Sequence, residues 1–164
     1  MQQLDISQII NNLGLKEHPE GGYFSEVYKS SKIFNPKLEN SENRNLATSI
    51  YFLLKSGQVS KFHQLKSDEI WYFHAGSPLN VFLINETGDL KTKVLGNTFE
   101  LNYHPQIIIP AGTIFGAEVI LPNSYSFIGC AVIPGFEFAD FKLMKPDELI
   151  SLYPNYKDLI IRLT

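Results

Sequence analysis

Residues 57–76 read GQVSKFHQLKSDEIWYFHAG, a glycine at each end enclosing His63, Leu65 and Glu69. In an extended strand, residues i and i+2 point to the same face. His63 and Leu65 therefore share one face. The same alternation sets Glu69, Trp71 and Phe73 on one side and Ile70, Tyr72 and His74 on the other. The stretch predicts strand structure that turns an imidazole and a carboxylate towards an apolar interior.

The surrounding chain has the same texture. From Leu46 to about Phe141 short apolar runs recur: ATSIYFLL, EIWYFHA, LNVFLI, LKTKVL, QIIIP, TIFGAEVIL, SYSFIGCAVI and FEFADFKL. Turn residues such as SGQ, SPL, NETGD and LPNS separate them. Many short strands at this spacing predict an all-β sandwich or barrel, and NETGDL between two runs predicts a hairpin. Upstream, Gly21-Gly22 punctuates a turn before a strand over 23–28, and SSKIFNPKLENSENRN, with Pro36 inside it, reads as an exposed loop. Short helices flank the strands. Asp5 is an N-cap with Ile6, Ile9, Ile10 and Leu13 at helical spacing and Gly14 as the stop, while Pro146, Asp147 and Glu148 open a helix that Pro154 closes, with YKDLIIRL as a second. The expectation is one domain over 1–164 with a core at about 46–142.

Composition bounds the function. A chain of 164 residues is long enough to bury a substantial core. The formal net charge of -3 gives no basic field for a phosphate backbone, so nucleic acid is not an expected partner. No apolar run approaches a membrane span, and MQQLDISQII lacks the layout of a signal peptide. Cys130 is the only cysteine, which excludes an internal disulfide and a multi-cysteine zinc site and points to a reducing, cytoplasmic home. Aromatics make up 13% of the chain, which suits a concave ligand pocket.

The spacing of Gly57, His63, Leu65, Glu69 and Gly76 resembles the first motif of the cupin superfamily, a Gly, a His-x-His pair, a Glu and a closing Gly, with Leu65 in the second His position. Pro110-Ala111-Gly112-Thr113-Ile114-Phe115 resembles the second motif, Pro-x-Gly-x-x-His, with Phe115 in place of the His. The runs HPEGGYFSEVY, SDEIWYFHAG, PQIIIPAG and GCAVIPGFEFADFKL are similar to a small single-domain branch, cupin family 5. The resemblance implies a double-stranded β-helix, a cupin jelly-roll barrel with a pocket inside it. It also implies a homodimer in which the N-terminal helix or the strand over 23–28 joins the partner's sheet. Two departures stand out. Ile114 replaces the aromatic common after PAG-x, and Tyr72 replaces a common His.

The usual cupin ion takes three ligands from the first motif and one from the second. Leu65 and Phe115 cannot ligate, leaving His63 and Glu69, fewer than the three protein ligands that catalytic zinc or non-haem iron ordinarily uses. No cofactor is expected beyond a weakly bound divalent metal at His63 and Glu69. His74 should point away from His63, His18 and His104 read as loop histidines beside prolines, and Cys130 reads as a small core residue.

His63 and Glu69 in an aromatic-walled barrel form an acid–base couple whose pKa values burial would shift. Trp71, Phe73 and Phe115 are the expected walls. Glu20, Tyr23, Arg44, Thr48, Tyr51 and Gln106 are further ligand-binding candidates, with Arg44 able to clamp a carboxylate or phosphate. The expected function is small-molecule binding, with metal-independent isomerase or epimerase chemistry on a sugar derivative, a nucleotide-linked sugar or a related polar metabolite. A non-catalytic ligand-binding module and a metal-dependent dioxygenase or isomerase are the alternatives.

Overall fold

The protein is described by a computed structural model over residues 5–35 and 43–164. Helix α1 (Ile6–Asn12) begins where the Asp5 side chain accepts a hydrogen bond from the Ser7 backbone N–H at 3.1 Å, and it stops before Gly14 at φ +60°. None of its residues is buried. Strands β1 (Lys16–Glu17), β2 (Tyr23–Lys29), β3 (Ile33–Phe34), β4 (Arg44–Asn45) and β5 (Thr48–Lys55) follow. The opening motif supplies β6 (Val59–Gln64) and β7 (Asp68–Gly76), and the predicted hairpin is β8 (Leu79–Ile84) with β9 (Leu90–Leu95). The remaining strands are β10 (Gln106–Ile109), β11 (Ile114–Val119), β12 (Tyr125–Ile133) and β13 (Lys142–Leu143). Helices α2 (Pro146–Leu152) and α3 (Lys157–Arg162) close the chain, α2 with Pro146 in its first turn.

Two facing sheets hold all of these strands except β3 and β4, in the orders β1-β2-β5-β12-β7-β10 and β13-β6-β11-β8-β9, and β3 pairs with β4 in a separate ribbon. The arrangement is a jelly-roll sandwich with terminal helices, the all-β fold the sequence predicts, although the sheets do not close into a continuous barrel. Alternation sorts the five-stranded sheet cleanly. Val81, Leu83, Phe115 and Ala117 face the six-stranded sheet, where they meet Phe52, Trp71, Ile107 and Ile128. Phe62, Phe82, Ile84 and Ile114 face outward under α2 and α3, packing on Leu149, Ile160 and Leu163. Both faces of β8 and β11 are therefore dry, which is why these two strands read as nearly continuous apolar runs, while β9 keeps Lys91 and Thr92 exposed. Among the described residues no helix is long and apolar enough to cross a membrane.

A bulge between Phe115 and Ala117 lets β11 approach β6 very closely. A Cβ on Gly116 would stand 2.8 Å from the Ser60 carbonyl oxygen, so glycine is required there.

Two expectations need correcting. The segment expected as a plain exposed loop contains the β3–β4 ribbon, which pairs Ile33 with Asn45 and Phe34 with Arg44; Pro36 and the rest of 36–42 lie outside the described residues. FEFADFKL is not a barrel strand. It holds a 3-10 turn at Phe138–Asp140 and ends in the two-residue β13. Its acidic residues are drawn into ion pairs across the chain, Glu137 with Lys29 at 3.7 Å and Asp140 with Arg44 at 3.0 Å, while Phe136 and Phe141 pack against the core and Phe138 crosses both of their rings from a more exposed position.

Candidate active site

The two sheets enclose a partly open cavity of about 100 Å³. Its ionisable lining comes from three places: His18 and Glu20 from the β1–β2 turn, His63 from β6, and Glu69 and Cys130 from neighbouring strands of the six-stranded sheet. Glu26 and Thr48 add polar groups, and Leu65, Ile50 and Val132 add apolar ones.

The β1–β2 turn is locked onto β6. The Gly21 N–H donates to the His18 carbonyl at 2.9 Å, and the Lys61 N–H donates to the Glu20 carbonyl at 2.8 Å. Gly21 sits at φ +109° with no room for a Cβ against the Val59 carbonyl oxygen, so only glycine brings the turn this close. The Ser60 hydroxyl then donates to Glu20 Oε1 at 3.0 Å.

Hydrogen bonding dictates where the protons lie. His63 Nδ1 is 2.7 Å from the Lys61 carbonyl oxygen, which can only accept, so Nδ1 carries a proton. His63 Nε2 stands 3.1 Å from Glu20 Oε2. Imidazole nitrogen and carboxylate oxygen would both be bare acceptors there unless a proton lies between them. The pair is thus either imidazolium–carboxylate or imidazole–carboxylic acid, and neutral overall in both forms. Burial favours the second, pushing Glu20 up to about 7, against the opposing pull of His18 and the Ser60 hydrogen bond, and pushing His63 down. His18 Nδ1 accepts the Glu20 backbone N–H at 3.3 Å, and burial lowers the pKa of this ring too.

Glu69 is differently placed. Burial raises it to about 7, with His63 opposing and the Glu20 charge adding to the rise. Its charge acts on His63 across the cavity, but the short contact to His63 belongs to Glu20. The Trp71 indole and the Cys130 thiol lie near enough to favour the Glu69 anion, yet neither Glu69 Oε2 nor Trp71 Nε1 completes a hydrogen bond. Glu69 is 6% exposed, so Oε2 is a buried acceptor held ready on the cavity wall. Burial and the two carboxylates push the Cys130 thiol up, keeping it a neutral wall group.

The structure brings His63, Glu69, Glu20 and Thr48 together and leaves the other sequence candidates at varying distances. Phe115 stacks behind His63, ring centroids 4.0 Å apart, and Trp71 packs behind Phe115 at 5.8 Å, so both back the site without lining the cavity. Phe73 packs against the core. Tyr51 and His74 pack together with Phe127 on the outer sheet face, centroids 6.1 Å apart across Tyr51 and His74. Gln106 sits exposed opposite Tyr72 on the last strand of the sheet. Tyr23 meets Lys55, and Arg44 is held by Asp140 through two hydrogen bonds of 3.0 and 3.2 Å.

His18 corrects an expectation. It is no surface loop histidine: its side chain is 7% exposed, 4.7 Å from Phe24 and 5.8 Å from Phe141 by ring centroids. The Pro beside it suggested a loop, which is right for the backbone, but the Gly21-Gly22 approach folds that loop inward. Phe24, Phe136, Phe138 and Phe141 also line the cavity without having been singled out. The density of Phe in GFEFADF was the available signal.

At the two positions where the cupin resemblance implies metal ligands, carbon stands in place of nitrogen. Leu65 lines the cavity and the Phe115 ring presses on His63. Among the described residues no group of three or more His, Cys, Asp or Glu is arranged to hold a metal ion. The residues present do not fit the usual cupin ion.

Comparison with known proteins agrees with this architecture. The family model described as "Cupin superfamily (DUF985)" matches residues 7–144. An uncharacterised Saccharomyces cerevisiae protein, YML079W, is 31% identical over 156 residues, covering 87% of this chain and 77% of its own. The crystal structure of protein SO0799 from Shewanella oneidensis is 39% identical with a TM-score of 0.91, covering 99% of this chain and 98% of that one. Oxalate decarboxylase from Bacillus subtilis, at 17% identity and TM-score 0.58, covers 90% of this chain and 36% of its own; that likeness concerns the fold alone.

The raised pKa of Glu69 has a consequence for stability. A carboxyl whose folded pKa exceeds its ordinary 4.5 adds stability that is complete below that value and is lost as pH rises through about 7. Glu69→Gln should therefore gain stability relative to the parent between pH about 4.5 and about 7, by roughly 3 kcal/mol, and level off above. Urea denaturation across this range measures it; a difference independent of pH would show that Glu69 titrates normally.

Proposed function

The chain belongs to the cupin superfamily family DUF985, and from that premise we propose that it is a metal-independent acid–base enzyme of isomerase or epimerase type acting on a small polar metabolite. The observation that carries this reading is the 3.1 Å contact of His63 Nε2 with Glu20 Oε2, which requires a proton between them, beside the unpartnered Glu69 Oε2. Two buried groups balanced near neutrality, one charged with a proton and one ready to accept, are what proton transfer at a carbon next to a carbonyl requires.

In this reading Glu69 removes the carbon-bound proton while the His63–Glu20 pair delivers its proton to the carbonyl oxygen, giving an enol or enediol. Return of the Glu69 proton to the adjacent carbon, with the enediol oxygen giving its proton back to the pair, completes an isomerisation. His63 Nε2 takes the proton from Glu20 and passes it to the substrate oxygen, with the ring oriented by the Lys61 carbonyl at Nδ1. Glu20 is its proton partner, the role the sequence alone assigned to Glu69. The cavity of about 100 Å³ suits a metabolite of a few carbons better than a nucleotide-linked one.

The same proposal includes the absence of a resident metal, supported by Leu65 and Phe115, and a cytoplasmic homodimer. The dimer is supported by the α1 face, where Ile6, Ile9 and Ile10 stay half-buried and Leu13 is exposed, and by exposed Val27 and Tyr28 on β2. Light scattering in solution should give twice the 18.6 kDa chain mass; a monomer at micromolar concentration would remove the dimer.

With short keto and hydroxy-keto compounds in deuterated water, the protein should catalyse carbon-bound hydrogen exchange. His63→Asn and Glu69→Gln should each lower the rate by about a hundredfold or more. Exchange that is equal in the parent and both variants would sink the enzymatic reading. Offered iron, zinc, nickel and manganese, the protein should retain well below one metal per chain by mass spectrometry; stoichiometric metal would bring back the metal-dependent alternative.

A further inference from the structure

We propose that the cavity selects a ligand carrying a small alkylammonium group, recognised by the crossed aromatic rings at its mouth and by the Glu69 carboxylate on its wall. The inference takes the cavity as the ligand site, as the proposed function does, and it requires no proton transfer.

The first support is charge. The acidic groups of the lining differ in their partners: both Glu20 oxygens are engaged, Oε2 by His63 Nε2 at 3.1 Å and Oε1 by the Ser60 hydroxyl at 3.0 Å, while Glu69 has an oxygen with no partner. Glu26 adds a third carboxylate from β2. No Lys or Arg is among the lining residues; the nearby cations Arg44 and Lys66 are engaged by Asp140 at 3.0 and 3.3 Å, and Lys29 by Glu137. An anionic guest would meet carboxylates with nothing to balance it. A cationic guest would supply the one partner Glu69 lacks, and a buried charge without a partner is otherwise expensive.

Ring geometry is the second support, and it is independent of charge. Five phenylalanines line the cavity, three of them from the 136–141 segment. Phe136 and Phe138 have centroids 5.0 Å apart at 80°, and Phe138 and Phe141 6.5 Å apart at 78°. Rings crossed this steeply present at least one face to a guest lying among them. Such walls are how proteins hold quaternary and alkylated ammonium groups, through the negative face of the ring quadrupole. His18, stacked towards Phe138 at 6.4 Å and kept neutral by burial, extends the wall without adding repulsion. The cavity volume also suits a head group of this size.

Three probes of one shape decide the matter: choline, neohexyl alcohol (carbon in place of the quaternary nitrogen) and the carboxylate of tert-butylacetic acid. Titration calorimetry or ligand-observed NMR on the intact protein, at pH about 8 so that Glu69 is ionised, should show choline binding about tenfold or more tighter than the alcohol, and the anion weakest. Glu69→Gln should remove most of the preference for choline over the alcohol. Phe138→Leu, at a residue 58% exposed and so safe for folding, should weaken choline several-fold and leave the alcohol little changed.

Equal binding of choline and the alcohol, tighter binding of the anion, or no choline binding at millimolar concentration would overturn the inference. A choline preference without deuterium exchange in any keto compound would support the ligand class and defeat the catalytic proposal. Exchange of neutral substrates with no choline preference would do the reverse.

Discussion

A single proton between His63 Nε2 and Glu20 Oε2 lets this interior exist. Four ionisable side chains, His18, Glu20, His63 and Glu69, are turned into a space with apolar walls, where charge is costly to leave unbalanced. Below a pH of about 7 the shared proton makes one pair neutral, and the Lys61 carbonyl, Ser60 hydroxyl and Glu20 backbone N–H satisfy the polar atoms around it. Among the residues lining the cavity, Glu69 Oε2 is the buried side-chain atom left without a hydrogen-bond partner, and Trp71 Nε1 behind it is likewise unpaired.

Carbon at the two positions where the cupin resemblance implies metal ligands shapes the site directly. Phe115 fills the space beside His63 with a ring, which strips water from the imidazole and moves its pKa down. Leu65 does the same for the cavity floor. His63 takes its orientation from backbone at Nδ1 and its electrostatic partner from the β1–β2 turn. Desolvation is the largest cause of the shifts at both His63 and Glu69.

The scaffold makes this arrangement stiff on one side and open on the other. Beneath β6, Phe62 is sealed by α2 and α3, and Gly116 brings β11 against β6 so that His63 has little freedom. Above, the 136–141 segment is held by ion pairs to Arg44, Lys66 and Lys29, and its rings form the mouth. Those pairs span distant parts of the chain, so the mouth's shape depends on the β3–β4 ribbon as well as on the aromatic segment itself.

The sequence by itself determined the sheet content, the hairpin at NETGDL, both terminal helices and the inward pairing of His63 with Leu65 and of Glu69 with Trp71. Each follows from local rules: side-chain alternation, turn chemistry and capping act over a few residues and leave their pattern in the string. Glu20 was legible as a candidate because a Gly pair beside a carboxylate signals close backbone approach. Only the tertiary structure decided that Glu20 rather than Glu69 touches His63, that His18 is buried, that Arg44 is spent on Asp140, that Tyr51 and Gln106 face outward, and that FEFADFKL lines a cavity instead of joining a sheet. These are contacts between segments 40 to 96 residues apart, as the Ser60–Glu20 and Arg44–Asp140 bonds are. A proton's position is set by which donor and acceptor meet in space, and no local spacing records that meeting.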